Sequence, residues 1–127
     1  MSDPCLLDTC ALLWWTLQPQ KLSPSAQKAI KKIENGAPGF VSSISFREIG
    51  IKAKRKRIEL GTSFDDYVKR VQSLQMLEVL PVDLATWQEN VALNWSHRDP
   101  VDRILVATAR KRTLAIVTCD TEIRPPF

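Results

Sequence analysis

Two short apolar runs, one near each end of the chain, are each followed by an aspartate: Pro4-Cys5-Leu6-Leu7-Asp8, and Leu114-Ala115-Ile116-Val117-Thr118 just ahead of Asp120. Runs this short, with no polar residue alternating through them, are the pattern of strands buried on both faces of a parallel sheet. Phe40-Val41-Ser42 and Leu77 to Leu80 are two further strands, bracketed by Gly, Pro or helical patterns. Helices fill the intervals. Ser23-Pro24 is an N-cap with Pro at the first helical position, and Ala26, Ala29, Ile30 and Ile33 recur at helical spacing until Gly36. Phe46, Ile49, Gly50 and Ala53 mark the face of a second helix, Phe64, Tyr67, Val68 and Val71 that of a third. Leu84, Trp87, Gln88 and Val91 continue the pattern in a fourth. Asp99-Pro100 opens a last helix, with Val101, Ile104, Leu105 and Thr108 facing inward. Strands alternating with helices predict an α/β fold of three layers, a short central parallel sheet covered by helices on both faces.

Composition narrows the class. With 127 residues and 44% hydrophobic content, the chain reads as one domain spanning residues 1–127 with room for a real core, not a disordered or disulfide-dense chain. Its longest apolar run, Cys10 to Trp15, is far below the ~20 residues that span a bilayer. Asp3 stands where a signal peptide would be basic, so a cytoplasmic protein with no membrane association is expected. Cys5, Cys10 and Cys119 are odd in number and unpaired in spacing, which predicts reduced thiols. Gly36, Gly39, Gly50 and Gly61 are too dispersed for a phosphate-binding loop. The net charge of +4 has the sign expected of a protein that meets polyanions.

In parallel sheets, ligands sit beyond the carboxyl ends of the strands. Asp8 and Asp120 close the first and last strands at that edge, and Glu48 and Asp102 fall in the first turns of helices that begin there. Four acids from four remote segments are thus expected to converge. Carboxylates ~4 Å apart repel by about 4 kcal/mol at an effective dielectric of ~20, so the cluster needs a cation or raised pKa values. Oxygen ligands without histidine suit Mg²⁺ or Mn²⁺ rather than zinc, and such ions promote in-line attack of water on a phosphodiester. Purely structural roles stand beside this. Ser45-x-x-Glu48 is a capping-box pattern, Asp99 an N-cap, and Asp102 an acid suited to a helix N-terminus.

Three blocks resemble the signature segments of PIN-domain proteins of the VapC toxin type: Leu6 to Trp15, Val41 to Lys52, and His97 to Ala107. Val117-Thr118-Cys119-Asp120 is similar to the fourth. The resemblance spans nearly the whole chain in the right order. It implies a metal-dependent endoribonuclease, the toxin of a type II toxin–antitoxin pair, acting as a homodimer and silenced by a small antitoxin. Asp8, Glu48, Asp102 and Asp120 would be the acidic quartet holding Mg²⁺ or Mn²⁺. Asp99 would be an accessory acid, and Thr9, Ser43 and Thr118 supporting hydroxyls. Cys10 and Cys119 depart from the family's usual residues, and the few residues after Asp120 imply that its last strand is missing, leaving the fourth exposed.

Lys52, Lys54, Arg55, Lys56 and Arg57, with Arg47, are expected to border the acids and contact RNA phosphates, or else to form a solvated helix face. Arg103 is read as a counter-charge in the pocket, His97 as a residue orienting the Asp99 turn, and Trp14 and Trp15 as core or interface residues. The competing reading is a catalytically weakened PIN-like domain that binds RNA or protein.

Overall fold

The computed structural model describes residues 4–93 and 99–124. The expectations for His97 and for the Pro125-Pro126-Phe127 tail lie outside these residues.

The chain runs β1 (Cys5–Leu7), α1 (Thr9–Leu17), a 3-10 turn, α2 (Pro24–Glu34), β2 (Gly39–Ser42), α3 (Ser43–Lys54), α4 (Phe64–Gln72), β3 (Leu77–Leu80), α5 (Leu84–Ala92), α6 (Pro100–Arg112), β4 (Ala115–Val117) and β5 (Glu122–Ile123). The sheet order is β3-β2-β1-β4-β5, parallel except for β5. In register, Leu7 stands between Val41 and Val117, so β1, β2 and β4 end side by side at one edge.

Alternation within the strands divides the core into two layers. Cys5, Leu7, Val41, Ala115 and Val117 pack with Leu12, Ile30, Ile33, Ile49, Tyr67 and Val71 in one cluster. Leu6 and Ile116 pack with Val101, Leu105 and Ala109 in the other. The three-layer α/β/α expectation holds.

The sheet edge differs from expectation. A fifth strand is present: Glu122 and Ile123 pair antiparallel with Val117 and Ile116 and cover β4. Its cause is Thr118, whose hydroxyl accepts the Asp120 and Thr121 amides at 3.1 and 3.0 Å and reverses the chain. Glu122, its side chain only 12% exposed, accepts the Cys5 thiol at 3.6 Å and pairs with Arg124 at 3.0 Å.

The expected inward face of α5 is also overturned. Leu84, Trp87 and Val91 are 75%, 46% and 83% exposed, and the buried residue of the helix is Thr86. The helix is held to α6 through polar ties instead: Asp83 to Lys111 at 3.5 Å, Glu89 to Arg110 at 3.4 Å, and Asn90 to Arg103.

Candidate active site

Helix starts place Asp8, Asp99 and Asp102. Asp8 continues the ladder, its amide donating to the Val117 carbonyl at 2.9 Å, and its carboxylate then accepts the Ala11 amide at 2.7 Å as the N-cap of α1. Asp99 caps α6, one oxygen accepting the Val101 and Asp102 amides at 2.9 and 3.3 Å. Asp102 follows in the first turn of that helix, and Asp120 lies exposed in the β4–β5 turn.

Glu48 does not cap. Ser42 is the N-cap of α3, accepting the Ile44 amide at 3.2 Å, so the Ser45-x-x-Glu48 capping box is not formed. Ser45 is instead fully buried and accepts the Thr9 hydroxyl at 3.0 Å, tying α1 to α3 directly behind Asp8. Among the described residues, Glu48 makes no ion pair with Lys52. It is half-buried.

Electrostatics reports the convergence. Burial, opposed by the Ala11 bond, pushes the Asp8 carboxyl up from 3.8 to about 6, and the charges of Asp102, Glu48 and Asp120 add to the rise. Asp102, Glu48 and Asp120 therefore all act on Asp8 at the strand ends. Among the described residues, however, no three acidic, cysteine or histidine side chains stand close enough to share one ion as they lie. In type, four carboxylates and no imidazole match a hard divalent cation.

The expected supporting hydroxyls divide. Thr9 braces the floor of the site through Ser45. Ser43 accepts the Val82 amide at 3.2 Å and so fastens the β3–α5 loop, while Thr118 builds the turn that carries Asp120. Sequence reasoning missed Ser45 and also Ser23, whose hydroxyl donates to the Asp120 carbonyl. The signal for Ser45 was its place in the α3 block, masked by the capping pattern.

Other expected residues are placed as follows. Burial first, then a hydrogen bond with the Cys119 thiol and the charges of Asp8 and Asp120, pushes the Cys10 thiol up to about 12. Both cysteines are half-buried free thiols, inert at neutral pH in the case of Cys10. Arg103 donates to the Asn90 side chain at 3.2 Å and to its carbonyl at 2.9 Å, bracing α5. Trp14 and Trp15 pack half-buried against the core. Lys52 is half-buried, whereas Lys54, Arg55, Lys56 and Arg57 lie exposed at the far end of α3. Six residues of helix separate Glu48 from Lys54 at the end of α3, or roughly 9 Å. Lys54, Lys56 and Arg57 there line a groove of about 800 Å³ with Ile58, Leu60 and Phe64.

A mostly parallel sheet of this order, flanked by helices on both faces, is the architecture of a PIN domain. The PIN domain family profile matches residues 5–125, and the chain belongs to that family. It is 32% identical over 121 residues to Ribonuclease VapC22 of Mycobacterium tuberculosis (strain ATCC 25618 / H37Rv), covering 94% of this chain and 88% of that protein. Solved structures share the fold: a toxin-antitoxin complex from Klebsiella pneumoniae, with TM-score 0.57 and 19% identity, covers 88% of this chain and 82% of its own. VapC20 of Mycobacterium tuberculosis, described as a sarcin-ricin loop cleaving toxin, gives 0.55 and 15%, covering 87% and 84%. The FitAB complex bound to a DNA fragment gives 0.56 and 14%, covering 88% and 82%. No helix among the described residues is long and apolar enough to cross a membrane.

Proposed function

We propose that this chain, as a single PIN-like domain spanning residues 1–127, is a divalent-metal-dependent endoribonuclease of the VapC type. It is the toxin half of a type II toxin–antitoxin pair, acting in the cytoplasm as a homodimer and silenced by a small cognate antitoxin. One observation carries the reading: Asp8 stands at the carboxyl end of β1, and the charges of Asp102, Glu48 and Asp120 add to the rise that burial causes in its carboxyl. The likeness to VapC22 and to toxin-antitoxin structures supports the substrate and antitoxin assignments.

Asp8, Glu48, Asp102 and Asp120 would hold Mg²⁺ or Mn²⁺, with Asp99 beside them. A bound ion would offset phosphate charge and make the attacking water more acidic. The chain's own residues do the rest. The Ala11 amide fixes the Asp8 carboxylate, and the Thr9–Ser45 bond fixes the helices behind it. Lys52, Lys54, Arg55, Lys56 and Arg57 hold RNA phosphates away from the scissile bond, positioning the strand without reading it. Water oxygen bonds to phosphorus, the bond to the leaving ribose oxygen breaks, and that oxygen takes up a proton.

A second reading, a PIN-like module that binds RNA or protein without cutting, is favoured by the open spacing of the acids. One assay separates the two. RNA cleavage is expected with Mn²⁺ or Mg²⁺, to stop with EDTA, and to be abolished by Asp8→Asn and Asp102→Asn. Tight RNA binding without turnover under any divalent ion would favour the module.

A further inference from the structure

The β4–β5 turn that carries Asp120 is gripped from outside its own hairpin by one residue. Ser23 donates its amide to the Cys119 carbonyl at 3.1 Å and its hydroxyl to the Asp120 carbonyl. The same hydroxyl oxygen accepts the Ala26 amide at 3.1 Å as the N-cap of α2. Both central carbonyls of the turn are therefore tied to the start of a helix nearly 100 residues earlier in the chain. Within the turn, Thr118 bonds the Asp120 and Thr121 amides. Thr118 sets the shape of the turn, whereas Ser23 sets where the turn sits on the rest of the molecule.

We propose that Ser23 is a positioning residue for the acidic site, fixing where Asp120 stands relative to Asp8. The inference rests on the reading of Asp120 as an ion ligand. Asp120 is exposed. Asp8, by contrast, is fixed by its own cap and by the sheet ladder. The carboxylate most free to wander is thus the one whose main chain Ser23 anchors. An α2 cap alone needs no donor to a remote carbonyl, and Asp, Asn or Thr would cap as well. A hydroxyl meets both demands at once, because it accepts from one group and donates to another.

The test measures Mn²⁺ affinity by calorimetry, thermal stability, and RNA cleavage as a function of Mn²⁺ concentration. Ser23→Ala is expected to weaken Mn²⁺ binding about tenfold, the lower end for residues that orient ligands. The Mn²⁺ concentration giving half-maximal cleavage should rise in step. Ser23→Thr, which keeps the hydroxyl, should restore both. In an Asp120→Ala background, Ser23→Ala should change Mn²⁺ affinity no further, although it still lowers the melting temperature through the lost cap. Ser23→Ala that melts earlier but binds Mn²⁺ like the wild type would reduce Ser23 to a helix cap and overturn the proposal. An undiminished Mn²⁺ affinity in Asp120→Ala itself would instead overturn the assignment of Asp120, a separate failure visible in a separate variant.

Discussion

One oxygen of Asp8 caps α1, yet the same carboxyl group sits where burial and three neighbouring acids oppose its charge. Its folded-state value of about 6 lies above the ordinary 3.8, so the folded protein holds the proton more tightly than the unfolded chain. The stability this group contributes is fully present below its ordinary value and is lost as pH rises through about 6. Asp83 works in the opposite sense but in another window, held down to about 2 by the Thr86 hydroxyl and amide and by Lys111. Asp8→Asn removes the opposed charge and keeps a good cap. In metal-free protein at neutral pH it is expected to be more stable than wild type by roughly 2 kcal/mol, while losing RNA cleavage. Thermal denaturation across pH 4 to 8 (a range of about 4 units around the folded value) checks this: the advantage should shrink towards the acid end and on adding Mn²⁺ to wild type. Equal stability at neutral pH would remove the electrostatic account of Asp8.

At the scale of elements, the close approach of α2 to the sheet depends on Gly39. A Cβ there would lie 2.7 Å from Ile33 Cγ2 and 3.0 Å from Leu77 Cδ2. The obstructing methyl is on the β-carbon of a fully buried side chain, which cannot swing aside. Gly39→Ala is expected to destabilise by about 1–3 kcal/mol, read as a lower urea midpoint, with Mn²⁺ affinity unchanged in the folded fraction. Strands β1 to β4 and helices α2 to α6 were legible in the sequence because each carries an apolar run, a period or a cap that its own residues supply. The run Thr9–Leu17 concealed α1, since it is apolar all round and offers no period to distinguish a helix from a buried strand. The fifth strand was invisible because it is two residues long and its turn, Thr118-Cys119-Asp120-Thr121, lacks the Gly and Asn signals of a tight hairpin. Asp8, Asp102 and Asp120 were legible as ends of strands or starts of helices, whereas Glu48, expected in the first turn of its helix, is the sixth residue of α3. Ser23 and Ser45 were not, because their bonding partners come from remote segments.

At the scale of the whole molecule, α5 turns its apolar residues away from the core. Leu84, Trp87 and Val91 lie at helical spacing on one side, all exposed, while the two acids flanking them are drawn to Lys111 and Arg110 of α6. The outward face therefore carries no uncompensated charge, so a second copy could meet it about a two-fold axis without opposing like charges. A stable interface buries roughly 800 Å² per partner, more than three side chains supply, so the stripe would form its centre. This is where the proposed homodimer is expected to close. Val91→Glu places two carboxylates in that contact, yet Val91 is 83% exposed in the single chain and its replacement should leave the fold intact. Light scattering at micromolar concentration should give a dimer mass for wild type and a monomer mass for Val91→Glu, with matching circular dichroism. A wild-type monomer, or a variant that still dimerises, would move the homodimer contact elsewhere or remove it, and leave the stripe for the antitoxin to cover.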